Sequence, residues 1–285
     1  MQTRGVPLIV TLLAQCGPAQ PPASDAAVVD APTIVDAPVD AAGDAPAAVP
    51  QPLDGRVFLQ QTADGWRLRV AFRQTNPASP LRCTVERASG CWFQDCARDR
   101  AFLLLDATSP VSVGVFSVTG GTTTARATPE ASGYYPPAFG MGMLWTPGTT
   151  ALTLRAAGVD GARAFETRLT TARPLVGGSA QATRGADFVF RWDAAGAQPG
   201  EEVGVRGEVT VATSGDTDRN VEFVCFAPRT AGTLTVPAAM VNRLPAGTVT
   251  AQGALYAVAH EDRMVEGYPT LLEVADTPSA VAFTF

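Results

Sequence analysis

Trp66-Arg67-Leu68-Arg69-Val70-Ala71-Phe72-Arg73 carries large apolar side chains at every second position and arginine at three of the four between them. Successive side chains of a strand point to opposite faces, so this stretch reads as a strand with one apolar and one wet face. The same period returns along the chain. Val111, Val113 and Val115 alternate with Ser112 and Gly114, and Leu152 and Leu154 with Thr153 and Arg155. Phe188, Phe190 and Trp192 do so with Asp187, Val189 and Arg191. Val203, Val205, Val209 and Val211, then Val221, Phe223 and Cys225, and finally Val281, Phe283 and Phe285 repeat the pattern.

Turn chemistry separates these runs: Ala63-Asp64-Gly65, Thr119-Gly120-Gly121, Pro147-Gly148, Asp160-Gly161, Pro199-Gly200 and Ser214-Gly215-Asp216. Helical periodicity is nearly absent, and only Pro237 to Arg243 could form a short helical turn. Many short strands at this spacing predict an all-β fold, an antiparallel β-sandwich of immunoglobulin-like type. The length from residue 55 onward suits two packed sandwich domains, 55–172 and 173–285, parted at Arg173-Pro174.

All 21 basic residues are arginine, against 27 acidic ones, for a net charge of −6. Six aspartates (Asp25, Asp30, Asp36, Asp40, Asp44 and Asp54) fall in residues 17–55, which hold no base. The remainder is therefore near neutral. This balance excludes a nucleic-acid binder working by bulk positive charge. The 46% apolar content excludes a chain disordered throughout.

Residues 1–15 join one arginine to a short apolar run, the form of a signal peptide and too short to span a bilayer. Leu13-Ala14-Gln15-Cys16 resembles the lipobox of bacterial lipoproteins, which implies lipidation of Cys16. Gln15 departs from the small residue usual before the cysteine. Gly17 after it implies, by the same resemblance, the outer membrane. Residues 16–54 repeat Asp-Ala-Pro at 30–32, 36–38 and 44–46. Proline and self-repelling aspartates with little to bury predict a disordered tether.

Four further cysteines, Cys83, Cys91, Cys96 and Cys225, are expected to form two disulfides if the chain is exported. Three pairings are open. With no tight C-x-x-C pair, a zinc site is poorly served. Asp216-Thr217-Asp218-Arg219-Asn220 begins like a calcium loop through Asp216, Asp218 and Asn220. Val221 stands where glycine belongs and Ala227 where glutamate belongs, so a polar hairpin tip is the plainer reading.

His260 is the one histidine. Without a G-x-S-x-G elbow it reads as a strand-end residue and not a catalytic one. Asp95 and Asp99, beside Trp92, Arg98 and Arg100, are the candidate carboxylates for glycoside hydrolysis. Gly133-Tyr134-Tyr135-Pro136-Pro137 and Phe139 to Trp145 are rich in aromatics and methionine, fit for core packing or, if exposed, for ligand contact.

The order of features resembles a group of uncharacterised bacterial lipoproteins of myxobacterial type: lipobox, Asp/Ala/Pro-rich tether, β-rich body. The segments that carry it are Cys83 with Ser89-Gly90-Cys91-Trp92-Phe93-Gln94-Asp95-Cys96, Gly158 to Phe165, Phe188 to Trp192, and Val224-Cys225-Phe226 with Gly232 to Ala238. The resemblance implies an envelope location and a sandwich-like body, and no activity. The expectation is a non-enzymatic surface binding or structural module with no cofactor. It would be held to the membrane by its lipid and face an unknown protein or glycan partner. The alternative is a secreted hydrolase of glycan or peptide working through paired carboxylates.

Overall fold

The computed structural model describes residues 49–281 apart from 89, 100–105, 161, 182, 213–216 and 245–249. The signal segment, Cys16, Asp216, Phe283 and Phe285 lie outside the described residues, as does most of the tether. The strands are β1 (Pro52–Gln61), β2 (Gly65–Thr75), β3 (Cys83–Ala88), β4 (Cys91–Asp99), β5 (Thr108–Pro110), β6 (Phe116–Thr119), β7 (Ala125–Ala127), β8 (Ala138–Met141) and β9 (Ala151–Ala156). There follow β10 (Phe165–Thr170), β11 (Gly178–Gln181), β12 (Phe188–Trp192), β13 (Glu202–Ala212), β14 (Thr217–Pro228), β15 (Thr233–Val236), β16 (Thr250–Val265), β17 (Tyr268–Ala275) and β18 (Ser279–Val281). One helical turn, α1 (Ala238–Val241), sits where the sequence allows one.

An eleven-stranded sheet runs β3-β4-β14-β13-β16-β17-β1-β2-β5, with β18 on β16 and β8 on β2. Its pairs are antiparallel except β1 with β17, which is parallel. Two small sheets, β10-β9-β6-β7 and β11-β12-β15, cover it. The fold is thus all-β and sandwich-like.

The alternation fills two apolar layers on one face of the large sheet. Val57, Leu59, Leu68, Val70, Phe72, Leu272 and Val274 pack against Phe116, Leu152, Leu154 and Trp145 around the four-stranded sheet. Val203, Val205, Val221, Phe223 and Phe93 pack against Phe188, Phe190 and Val236 around the three-stranded one. Each large side chain buried this way contributes roughly 1.5–3 kcal/mol.

The two sandwiches share their central sheet, so residue 173 does not divide them. The cysteine-rich strands β3 and β4, which precede it, belong with β14, and β17, which follows it, pairs with β1. From Pro46 to Phe285 the chain is one unit.

Two local expectations are corrected. Val111 to Val115 is not a strand. Gly114 takes φ +73°, where an added Cβ would sit 2.1 Å from the Gly158 carbonyl oxygen. Tyr135 serves this backbone instead of a ladder: its hydroxyl accepts from Val113 N at 2.8 Å and donates to Gly114 O at 2.6 Å. Asp54 does not belong to the tether. It lies in β1, fully buried, and accepts two bonds from Arg73, at 2.8 and 2.5 Å.

Candidate functional site

The face of the large sheet opposite the apolar layers is concave and charged. Three strands lie between β1 and β14, a separation of about 19 Å in a flat sheet. Arg56 of β1 nevertheless donates to Glu222 of β14 at 2.7 Å. Arg73 of β2 donates to Gln94 of β4 at 2.6 Å, with five strands between them. The sheet therefore curls until its two ends face each other, and the residues between the apolar ones line the hollow.

Four charged groups and one phenol form its floor. Arg206 Nη2 donates to Glu273 Oε2 at 3.0 Å, and its Nε lies 3.2 Å from Glu222 Oε1. Arg56 lies 3.6 Å from Glu273. Tyr256 donates to the other oxygen of Glu273 at 2.8 Å. The Glu273 side chain is only 1% exposed. Arg206 also stacks on Phe58, 4.2 Å from the ring centre. Gly204 leaves room for Tyr256, whose ring would lie 2.5 Å from an added Cβ. Two guanidinium groups and two carboxylates thus neutralise one another, as buried charges must.

Burial would raise the Glu222 pKa, but Arg56 and Arg206 outweigh it and bring it down to about 2. Burial raises the Tyr256 phenol, and the neighbouring Glu273 charge raises it further. A carboxyl whose folded pKa is depressed adds stability above its unfolded pKa, and loses it as pH falls through the folded value. Acidification from about pH 4.5 toward 2 is therefore expected to remove a few kcal/mol through Glu222. Urea unfolding of Glu222→Gln should show a shallower loss over that window. Parallel profiles for both proteins would sink the assignment.

Above this floor opens a cleft of about 550 Å³, lined among others by Arg56, Phe58, Arg69, Arg73, Arg206, Glu208, Asn220, Glu222 and Tyr134. That volume is in the range of small-ligand sites. Asn220 Nδ2 donates to Glu208 at 3.0 Å, while its buried Oδ1 has no partner among the described residues. Tyr134 stands at the rim, 49% exposed.

Of the sequence candidates, Cys96, Tyr134, Tyr135 and Asn220 line the cleft, and the others fall elsewhere. Cys83 is bridged to Cys96 and Cys91 to Cys225, each joining residues directly opposite on paired strands. Asp218 and Asn220 lie within β14 and not in a loop, and no group of acidic, histidine or cysteine side chains fit for a metal occurs among the described residues. Asp95 pairs with Arg219, in register with Val221 on the face away from the cleft. The side chains of Arg98, Asp99 and Arg100 lie outside the described ones. Trp92 turns to the concave side, donating to Asp262 at 2.9 Å under a stacked Arg87.

His260 is not a strand-end residue but lies within β16, opposite Glu273; it stacks on Phe226 with ring centres 3.8 Å apart, and its Nδ1 lies 2.7 Å from Glu202, at an angle short of a hydrogen bond. Burial lowers its pKa, but Glu202 more than offsets this and leaves it raised. The aromatic segment divides: Tyr135, Leu144 and Trp145 are core, whereas Tyr134, Phe139, Met141 and Met143 are exposed.

Sequence reasoning passed over Arg56, Glu222 and Glu273. The available signal was a charge set between large apolar neighbours, as in Leu271-Leu272-Glu273-Val274. The molecule is thus an all-β protein of two sandwiches on one curled sheet, with a charged cleft in the curl. No family model matches the chain, and no curated protein matches it. Among solved structures it is similar to the crystal structure of the FN1-FN3 domains of chicken CNTN1, with 7% identity and a TM-score of 0.22 over 82% of this chain and 99% of that one. Among the described residues no helix is long and apolar enough to cross a membrane. The two disulfides are compatible with an exported protein.

Proposed function

We propose that this protein is an exported lipoprotein of the cell envelope, held at the outer membrane through Cys16, that binds a ligand in the concave cleft and does no chemistry on it. The observation that carries this reading is the cleft itself. It is open, of ligand size, and built on a floor whose charges are already paired. Such a floor is rigid before any ligand arrives, which lowers the entropic cost of binding. Hydrolysis by paired carboxylates needs one of them held protonated. Glu222, held ionised by its arginines, cannot serve as that acid.

Two measurements test the reading. The intact mass of the native protein should match a chain starting at Cys16 with acyl groups added; a Cys16 start without lipid would overturn the anchor. Envelope glycan and peptide fractions incubated with the full-length protein should be retained and unchanged. Protein-dependent release of reducing ends or new amino groups would establish an enzyme instead.

A further inference from the structure

We infer that the cleft takes a carboxylate that also carries hydroxyl or amide donors, gripped by Arg69 at the mouth. The inference rests on the binding reading above and names the ligand's chemistry. Three of the four arginines lining the cleft are engaged: Arg56 and Arg206 with Glu222 and Glu273, and Arg73 with Asp54. Arg69, in register with Phe58 on the next strand, makes no hydrogen bond or ion pair among the described residues. Partial burial, then Arg67 and Arg206, lower its pKa, and Glu208 and Glu222 offset this only in part. A guanidinium without a hydrogen-bonded partner gains more from an arriving anion than one already paired. Its planar fork matches a carboxylate with two parallel bonds.

The second half of the ligand is specified by acceptors. Glu208, as a carboxylate, only accepts, so the Asn220 amide must turn its Nδ2 toward it. That leaves Asn220 Oδ1 buried with nothing to accept from. Glu208, which lines the cleft, is a second acceptor at that end, so an occupant gains by donating there, which a simple carboxylate such as acetate cannot do. Glu208 and Glu222 also oppose a multiply charged anion. A hexuronate and an N-acylated dipeptide acid both meet the requirement, each pairing one carboxylate with hydroxyl or N–H donors.

Calorimetric titration of the full-length protein separates the possibilities. The probes are galacturonate and N-acetyl-alanyl-alanine, each beside its methyl ester, with acetate and inorganic phosphate as simple anions. The acid form of one probe should bind at least roughly tenfold tighter than its ester, and tighter than either simple anion. Which acid binds identifies the source as saccharide or peptide. Arg69→Gln should lose that advantage at unchanged thermal midpoint, because Arg69 has no native partner to lose, and Arg69→Lys should keep part of it. Arg155→Gln, on the exposed face of the four-stranded sheet, should change nothing.

Equal binding of acid and ester, or an acid preference indifferent to Arg69, overturns the carboxylate inference and leaves the binding module standing. No binding of either acid at about 10 mM, far above the usual range of specific affinities, also overturns it. Consumption of a probe would overturn the binding-only reading instead.

Discussion

Glu273→Ala is expected to lose about 3–5 kcal/mol of folding stability at neutral pH, the cost of leaving a buried charge without its partner. The side chain serves Arg56, Arg206 and Tyr256 at once, and no water reaches it to take over. Removing it leaves two guanidinium groups facing Glu222 alone. Glu273→Gln keeps the shape and removes only the charge, so it should recover the packing part and little else. Glu273→Leu combined with Arg206→Met removes one charge of each sign, and should be much closer to the parent than the sum of the single changes. Urea unfolding midpoints with unchanged slopes provide the measurement. A loss below about 1 kcal/mol for Glu273→Ala would mean the network is solvated and the floor of the cleft is not preformed.

The second large effect concerns the bridge between Cys91 and Cys225. It closes a separation of 134 residues, the other bridge one of 13. Loop-closure entropy in the unfolded chain then assigns the long bridge about 5 kcal/mol and the short one about 3 kcal/mol. Cys91→Ala with Cys225→Ala should thus cost more than Cys83→Ala with Cys96→Ala, by about 1–2 kcal/mol in urea unfolding. Both members of the long bridge are buried in the apolar layer beside Phe93 and Phe223. Alanine there also leaves small voids, which adds to the difference. The reverse order would show that the bridges act by local geometry and not through the unfolded chain. The long bridge also ties β4 to β14, strands that the apparent boundary at residue 173 would place in different domains.

Much of the strand content was legible from period two alone. β2, β12, β13 and β14 lie where Trp66–Arg73, Phe188–Trp192, Val203–Val211 and Val221–Cys225 alternate. Alternation failed at Val111 to Val115, where a positive φ at Gly114 and the Tyr135 hydroxyl offered the backbone another solution. It also gave no warning that Asp54 lies in a strand, because its partner Arg73 is 19 residues away across a hairpin. The cleft was hidden for a related reason. Arginine opposite an apolar face reads as a surface, and for a flat sheet that reading is sound.

From the sequence alone come two-faced strands, oxidisable cysteines, a near-neutral body and an acidic stretch before it, since these follow from local period and composition. The tertiary structure alone decided which way the arginine face looks. Arg56 and Glu222 are 166 residues apart. Only the curling of the sheet brings them together, and no local pattern encodes that closure. Side-chain alternation assigns each residue a face of its strand. Whether that face meets water or the inside of a curl depends on strands the sequence places far away.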